Sequence, residues 1–254
     1  MIDIRAQKNR GHRPGHSNVT FLKLLSTVVC LLLCPLSPAV AAPPNNVQVT
    51  YDIYKGSMQI GRIDETYTRT DNHYTLVSTT RAVGLLALFN PGKIIINSNG
   101  LINTKGLQPL SFKHQRGRDE HKDRAAEFDW NAGQLTLIQH LQRTPVGLPA
   151  GTQDRLSAMY QFMFLELQPD TALDFPMTIG SKLDNYHYAI TVGPTLKTPA
   201  GEFNTLYLDN QPKTGESRTE IWLATQQHNL PCKMTITEAD GDSLSQVLRK
   251  LEIK

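Results

Sequence analysis

From residue 47 onward the chain reads in steps of two. Val47, Val49, Tyr51 and Ile53 alternate with Gln48, Thr50 and Asp52, the pattern of a strand with one buried and one wet face. Gly56 and Ser57 supply a turn, and Met58 and Ile60 continue on the return strand. Ile63 then falls one place out of step, which makes Gly61 a candidate bulge. After a turn at Asp71 and Asn72, a third strand carries Tyr74, Leu76, Val77, Thr79 and Thr80, the aromatic and β-branched residues that suit a pleated surface. Further strands are predicted at Lys93–Ser98, Leu107–Gln115, Arg124–Trp130 and Gln134–Leu141, with turns at Asn99–Gly100 and Asn131–Gly133 and a charged hairpin tip at Arg116–Asp123. The last third repeats the pattern at Phe175–Ile179, Tyr186–Val192, Phe203–Leu208, Thr219–Ala224, Lys233–Glu238 and Leu244–Ile253, with turns at Thr198–Gly201 and Ala239–Asp242.

Two segments break the alternation. Ala82–Phe89 is a run of Ala, Val, Gly and Leu closed by Asn90, Pro91 and Gly92, which predicts a short helix or buried flap. In residues 153–167, Leu156, Met159, Tyr160, Met163, Phe164 and Leu167 recur at three- and four-residue spacing, so one amphipathic helix is expected, with Thr152 as its N-cap and Pro169 beyond its end. The helix would join candidate halves 47–150 and 170–254. The fold class expected is mainly β: an antiparallel curved sheet, half-barrel or barrel of about a dozen strands with one amphipathic helix packed across it.

Ahead of this β region the pattern changes character. Phe21, Leu22 and Lys23 lead into the apolar run Leu24–Leu33, followed by Pro35, Pro38 and the small residues Ala39, Ala41 and Ala42. This is the layout of a secretory signal peptide cut after Ala41, and the apolar run is shorter than the roughly 18 residues a spanning helix needs. Residues 1–41 are therefore expected to be a leader and residues 42–254 a β-rich periplasmic domain, with no transmembrane span after cleavage. Five of the 26 basic residues (Arg5, Lys8, Arg10, Arg13, Lys23) and one of the 23 acidic ones (Asp3) precede that cut, leaving 21 against 22. The mature chain is near neutral, and no nucleic-acid partner is expected of it. Cys30 and Cys34 also fall in the leader, so Cys232 is left as a single thiol and no intrachain disulfide can form. Leu33 is not the small residue that a lipid-anchored Cys34 would require.

Several short motifs recur in order along the mature chain: Tyr51-Asp52-Ile53-Tyr54 with Gly56 and Gly61, Gly106-Leu107-Gln108-Pro109 ending in Phe112, Phe128-Asp129-Trp130, and Asp154 with Ser157. They continue with Gly201-Glu202-Phe203, Ile221-Trp222-Leu223-Ala224, Leu230-Pro231 and Asp240-Gly241-Asp242. In these the chain resembles the bacterial envelope family catalogued as domain of unknown function 3108. The resemblance implies an exported β-rich protein of Gram-negative type and brings no catalytic residues with it. By architecture alone, the expected curved sheet is similar to periplasmic lipoprotein carriers and lipid-binding half-barrels.

The sequence holds no nucleophile elbow, phosphate loop, metalloprotease helix or paired-cysteine metal motif. His114, Asp119, Glu120, His121 and Asp123 are its densest group of ligand-type side chains, and a charged hairpin tip accounts for them as a solvated loop. Cys232 reads as a buried thiol, Asp154 and Ser157 as caps of the helix, and Trp130 and Trp222 as packing residues. No cofactor, metal or catalytic residue is expected. The functional expectation is physical: Val83, Leu85, Leu86, Leu88 and Phe89 of the flap, with Leu156, Met159, Tyr160, Met163 and Phe164 of the helix, are the candidate lining of an apolar cavity on the concave face. A binding or carrier module for a lipid or other hydrophobic envelope component is one reading. A structural or assembly factor that docks an envelope protein by strand addition is the other. An enzyme would need a His or carboxylate cluster assembled only in three dimensions.

Overall fold

The alternating segments form a single winding sheet. The computed structural model describes residues 42–84, 87, 92–117 and 119–254, and Ala42–Lys254 is one unit. The first eight strands are β1 (Asn46–Lys55), β2 (Met58–Thr70), β3 (His73–Ala82), β4 (Lys93–Asn103), β5 (Gly106–Gln115), β6 (Arg124–Asp129), β7 (Gln134–Gln139) and β8 (Gln142–Gly147). They are followed by β9 (Gln153–Asp154), helix α1 (Ser157–Gln161) and a 3-10 turn at Phe162–Phe164. The remaining strands are β10 (Thr171–Thr178), β11 (Leu183–Val192), β12 (Leu196–Thr198), β13 (Gly201–Phe203), β14 (Thr205–Asp209), β15 (Arg218–Ala224), β16 (Leu230–Thr237) and β17 (Ser243–Ile253). Fifteen of these strands make one sheet in the order β8-β7-β6-β5-β4-β3-β2-β1-β17-β16-β15-β14-β11-β10-β9, and β12 pairs with β13 apart from it.

Two meanders thus meet where the first strand pairs with the last, Val47 opposite Ile253 and Lys55 opposite Leu244. Buried Asp52 ties this junction together: it accepts from Arg62 on β2 at 3.1 Å and from Arg249 on β17 at 2.8 Å. The sheet does not close. It curls until β9 and the β10–β11 turn lie against β5 and β6, where an added Cβ on Gly180 would stand 3.1 Å from the Ala125 nitrogen.

The strand count exceeds the dozen expected because short edge pieces such as β8, β9 and β12 carry little hydrophobic signal. The bulge expected at Gly61 is present, since Ile53 faces Gly61 while Tyr54 faces Gln59, leaving Ile60 unpaired. The turn expected at Asn99–Gly100 is absent. β4 runs on to Asn103, and Gly100 faces a bulge in β5 that leaves Leu110 unpaired; a Cβ on Gly100 would run into the Gln108 carbonyl and stand 2.8 Å from the Pro109 Cα. Glycine serves close backbone approach there.

The helix over 153–167 is likewise corrected. Gln153 and Asp154 are strand, α1 spans five residues, and the chain is extended again at Leu165. A single straight helix would keep all its apolar residues on one stripe. Here they serve two cores: Leu156, Tyr160 and Met163 enter the larger cluster with Tyr67, Leu76 and Phe112. Phe162, Leu165 and Leu167 pack with Tyr188, Leu208 and Ile221 in the smaller one. Thr152 does not cap the helix, its hydroxyl donating instead to the Pro149 carbonyl at 2.7 Å. The Asp154 carboxylate takes the capping role by accepting from the Leu156 and Ser157 amides, both at 2.9 Å. Among the described residues, no helix is long and apolar enough to cross a membrane.

Candidate functional site

The seam where the sheet fails to close holds a groove of about 570 Å³. β10 pairs with β11 along its length on one side, but on the other only Met177 and Thr178 pair with β9, so the edge from Thr171 to Pro176 is open. Pro176, which has no N–H, is tolerated on such an edge. Leu173 and Phe175 of β10 form one wall of the groove, Leu107 of β5 and Trp130 the other, and Phe162 and Leu165 the floor. Each wall is braced from behind. Phe175 stacks with Tyr186 and Tyr188, and Trp130 donates its indole N–H to the Pro109 carbonyl at 2.6 Å while stacking on Phe128.

Two glutamines fasten the β5 side. Gln161 accepts from the Leu107 amide and donates to the Lys105 carbonyl, both at 2.7 Å, so the helix grips the β4–β5 turn. Gln153 donates to the Leu107 carbonyl at 2.9 Å, and its own buried Oε1 has no partner among the described residues. Gly106 makes the grip possible: its φ is +103°, and any Cβ would run into the Gln161 amide. Gly106→Ala is therefore expected to cost about 1–3 kcal/mol through backbone strain and loss of that clamp, read as a lower urea midpoint.

The groove is built from other residues than those expected to line a cavity. Leu156, Tyr160 and Met163 are buried as a plug inside the larger core, where Tyr160 stacks on Tyr67 with ring centroids 5.8 Å apart and donates to Glu65 at 3.0 Å. Met159 and Phe164 are half-buried against that core. Val83 is half-buried beyond the end of β3, and Leu85, Leu86, Leu88 and Phe89 lie outside the described residues. The helical segment does face the groove, through Ala158, Gln161, Phe162 and Leu165. Periodicity marked the segment but not which of its two sides stayed open.

Titratable groups sit elsewhere in the interior. Burial raises the carboxyls of Asp154 and Glu65 above the usual range, against hydrogen bonds from Ser98 and Ser78 respectively. His114 is buried on β5, and burial followed by the Arg155 and Arg116 charges lowers it to about 4. It thereby parts from Asp119, Glu120, His121 and Asp123, which lie on the hairpin tip; no group of three metal-ligand side chains converges among the described residues. Cys232 is buried beneath Trp222, and burial pushes its thiol up to about 11, which leaves no thiolate at neutral pH. Trp222 is half-buried between Tyr207 and the Lys233 ammonium.

These features define an open, curled antiparallel sheet with a helical plug and an apolar groove along its unclosed seam. The chain belongs to the family described as protein of unknown function DUF3108, whose model matches residues 50–249. No curated protein matches the chain. Among solved structures, a candidate lipoprotein from Parabacteroides distasonis is similar at 10% identity and a TM-score of 0.35, over 84% of this chain and 98% of that one. A candidate exported protein with a YmcC-like fold from Bacteroides fragilis is similar at 9% identity and a TM-score of 0.32, over 83% of this chain and 97% of that one.

Proposed function

We propose that this chain is an exported, non-catalytic binding module of the periplasm whose seam groove holds a hydrophobic envelope component. The observation that carries the reading is the groove itself: six large apolar or aromatic side chains and two alanines around about 570 Å³, within the size range of small-molecule sites. Its ionisable lining side chains are Lys105 and Asp174, and Asp174 is held by His187 at 2.8 Å, so the site suits holding a molecule more than transforming it. The unpartnered Gln153 Oε1 favours a ligand with an apolar body and a hydrogen-bond donor. Export rests on the leader pattern of residues 21–42.

The open edge of β10 beside the groove favours a second reading, in which an extended segment of an envelope protein adds to Thr171–Phe175. Native mass spectrometry of the protein purified from its own envelope fraction separates the two. A small bound mass, lost on Leu173→Asp or Leu165→Asp with the melting transition retained, is the expected result. A co-purifying polypeptide lost by the same substitutions supports strand addition instead, and bare protein throughout would sink both.

A further inference from the structure

We propose a second binding site, for a phosphate group, in a basic pocket at the far end of β4 from the groove. This pocket of about 330 Å³ lies between the end of β3, the start of β4 and the β5–β6 connection. Arg81, Lys93, Arg116 and Lys122 line it, against a single carboxylate, Asp119. The groove opens at the Asn103 end of β4 and the pocket at its Lys93 end, roughly 30 Å apart along the strand, and they share no lining residue. The inference therefore stands apart from the groove reading.

The arrangement runs against what sheet packing alone favours. Arg81 lies directly opposite Lys93 in the β3–β4 register, and Arg62 lies opposite Arg81 in the β2–β3 register, a row of like charges where opposite signs would stabilise. Part of this charge is paired: in the row, Arg62 with Asp52, which Arg249 shares, and Arg81 with Asp64; beside it, Lys122 with Asp119 at 2.8 Å. The side chains of Lys93 and Arg116 form no ion pair among the described residues, although the Asp123 carboxylate accepts from the Arg116 backbone amide at 2.7 Å. They are also held close to each other. Gly117, at φ +65°, lies so near the Lys93 carbonyl that a Cβ there would be 2.9 Å from it, which keeps Arg116 beside the start of β4. Two cationic side chains without an ion-pair partner among the described residues, one a guanidinium able to bind two oxygens at once and one an ammonium, match the oxygens of a phosphate group. A bound phosphate would relieve the repulsion that the register imposes.

Phosphate of this kind comes free in solution or on a lipid headgroup, and the test distinguishes them. The full-length chain would be titrated with inorganic phosphate by calorimetry at low salt. In parallel it would be sedimented with vesicles of phosphatidylglycerol and of phosphatidylcholine. Saturable binding is expected, weakened at least about tenfold in Lys93→Gln/Arg116→Gln, and unchanged in Lys113→Gln/Lys213→Gln, which removes equal charge from exposed positions elsewhere. Binding of inorganic phosphate assigns the site to the free ion; binding to phosphatidylglycerol vesicles alone assigns it to a headgroup. If the double variant loses its melting transition, the single variants carry the test, both side chains being exposed. The proposal is overturned by no saturable binding to either probe, by equal weakening in the control variant, or by undiminished binding in the pocket variants.

Discussion

Asp154→Ala is expected to cost about 3–5 kcal/mol of folding stability, a large share of the 5–15 kcal/mol that holds a typical domain together. The Asp154 side chain is fully buried and accepts three hydrogen bonds, from the Ser98 hydroxyl at 2.5 Å and the Leu156 and Ser157 amides at 2.9 Å. Ser157 answers by accepting from the Asp154 amide at 2.9 Å, and Ser98 lies 3.0 Å from the Tyr74 hydroxyl. Through these bonds one carboxylate fastens β9 and the start of α1 to β4, which lies more than fifty residues earlier in the chain. Alanine leaves the buried Leu156 and Ser157 amides without their acceptor. Asn, which keeps one acceptor oxygen, is expected to lose less, about 1–2 kcal/mol. Urea unfolding monitored by near-UV circular dichroism checks both. A midpoint for Asp154→Ala equal to that of the parent would mean that the plug is held by apolar packing alone.

The second large effect is on acid stability. His114 is held at about 4 in the fold, against 6.5 for an ordinary histidine, because burial and the Arg155 and Arg116 charges disfavour its imidazolium. Between these values the unfolded chain binds a proton that the folded chain does not. Stability therefore rises with pH across this window and falls as pH is lowered from about 6.5 to about 4, by about 3 kcal/mol in all. Asp154 and Glu65 work in the opposite sense. Their raised carboxyls take protons in the folded state first, so their contribution weakens as pH rises above the unfolded value. Both remain in His114→Gln, so the difference between parent and variant isolates the histidine. The variant should lose about 2–3 kcal/mol of acid dependence between pH 7 and pH 4.5, measured by urea unfolding at each pH. An unchanged slope would place the acid sensitivity elsewhere.

The legible parts of this protein are those governed by local patterning. Alternation located most of the strands, and Ile63 falling out of step with Ile60 revealed the bulge at Gly61 because a bulge shifts the side-chain period by one. Gly100 misled because a glycine beside asparagine reads as a turn, while the reason for this glycine lies on another strand, in the Gln108 and Pro109 backbone. β8 gives no such signal, because its Gln142, Arg143 and Thr144 are exposed and carry no apolar stripe. The groove was only half legible. Leu156, Met159, Tyr160 and Met163 announce a helix that packs, yet burial of that stripe is what makes it a plug, and the lining falls to Ala158, Gln161, Phe162 and Leu165 behind it.

The antiparallel β class, the places where most strands turn, the buried character of Cys232 and the family to which the chain belongs can all be read from the order of the residues alone. Each follows from residues close together in the chain, where side-chain period and turn chemistry act directly. The pairing of β1 with β17, the curl of a sheet that does not close, the bond from Ser98 to Asp154, and the groove and basic pocket at opposite ends of β4 emerge only from the folded chain. Those outcomes depend on which distant residues meet, and period along one strand carries no information about the strand it will face.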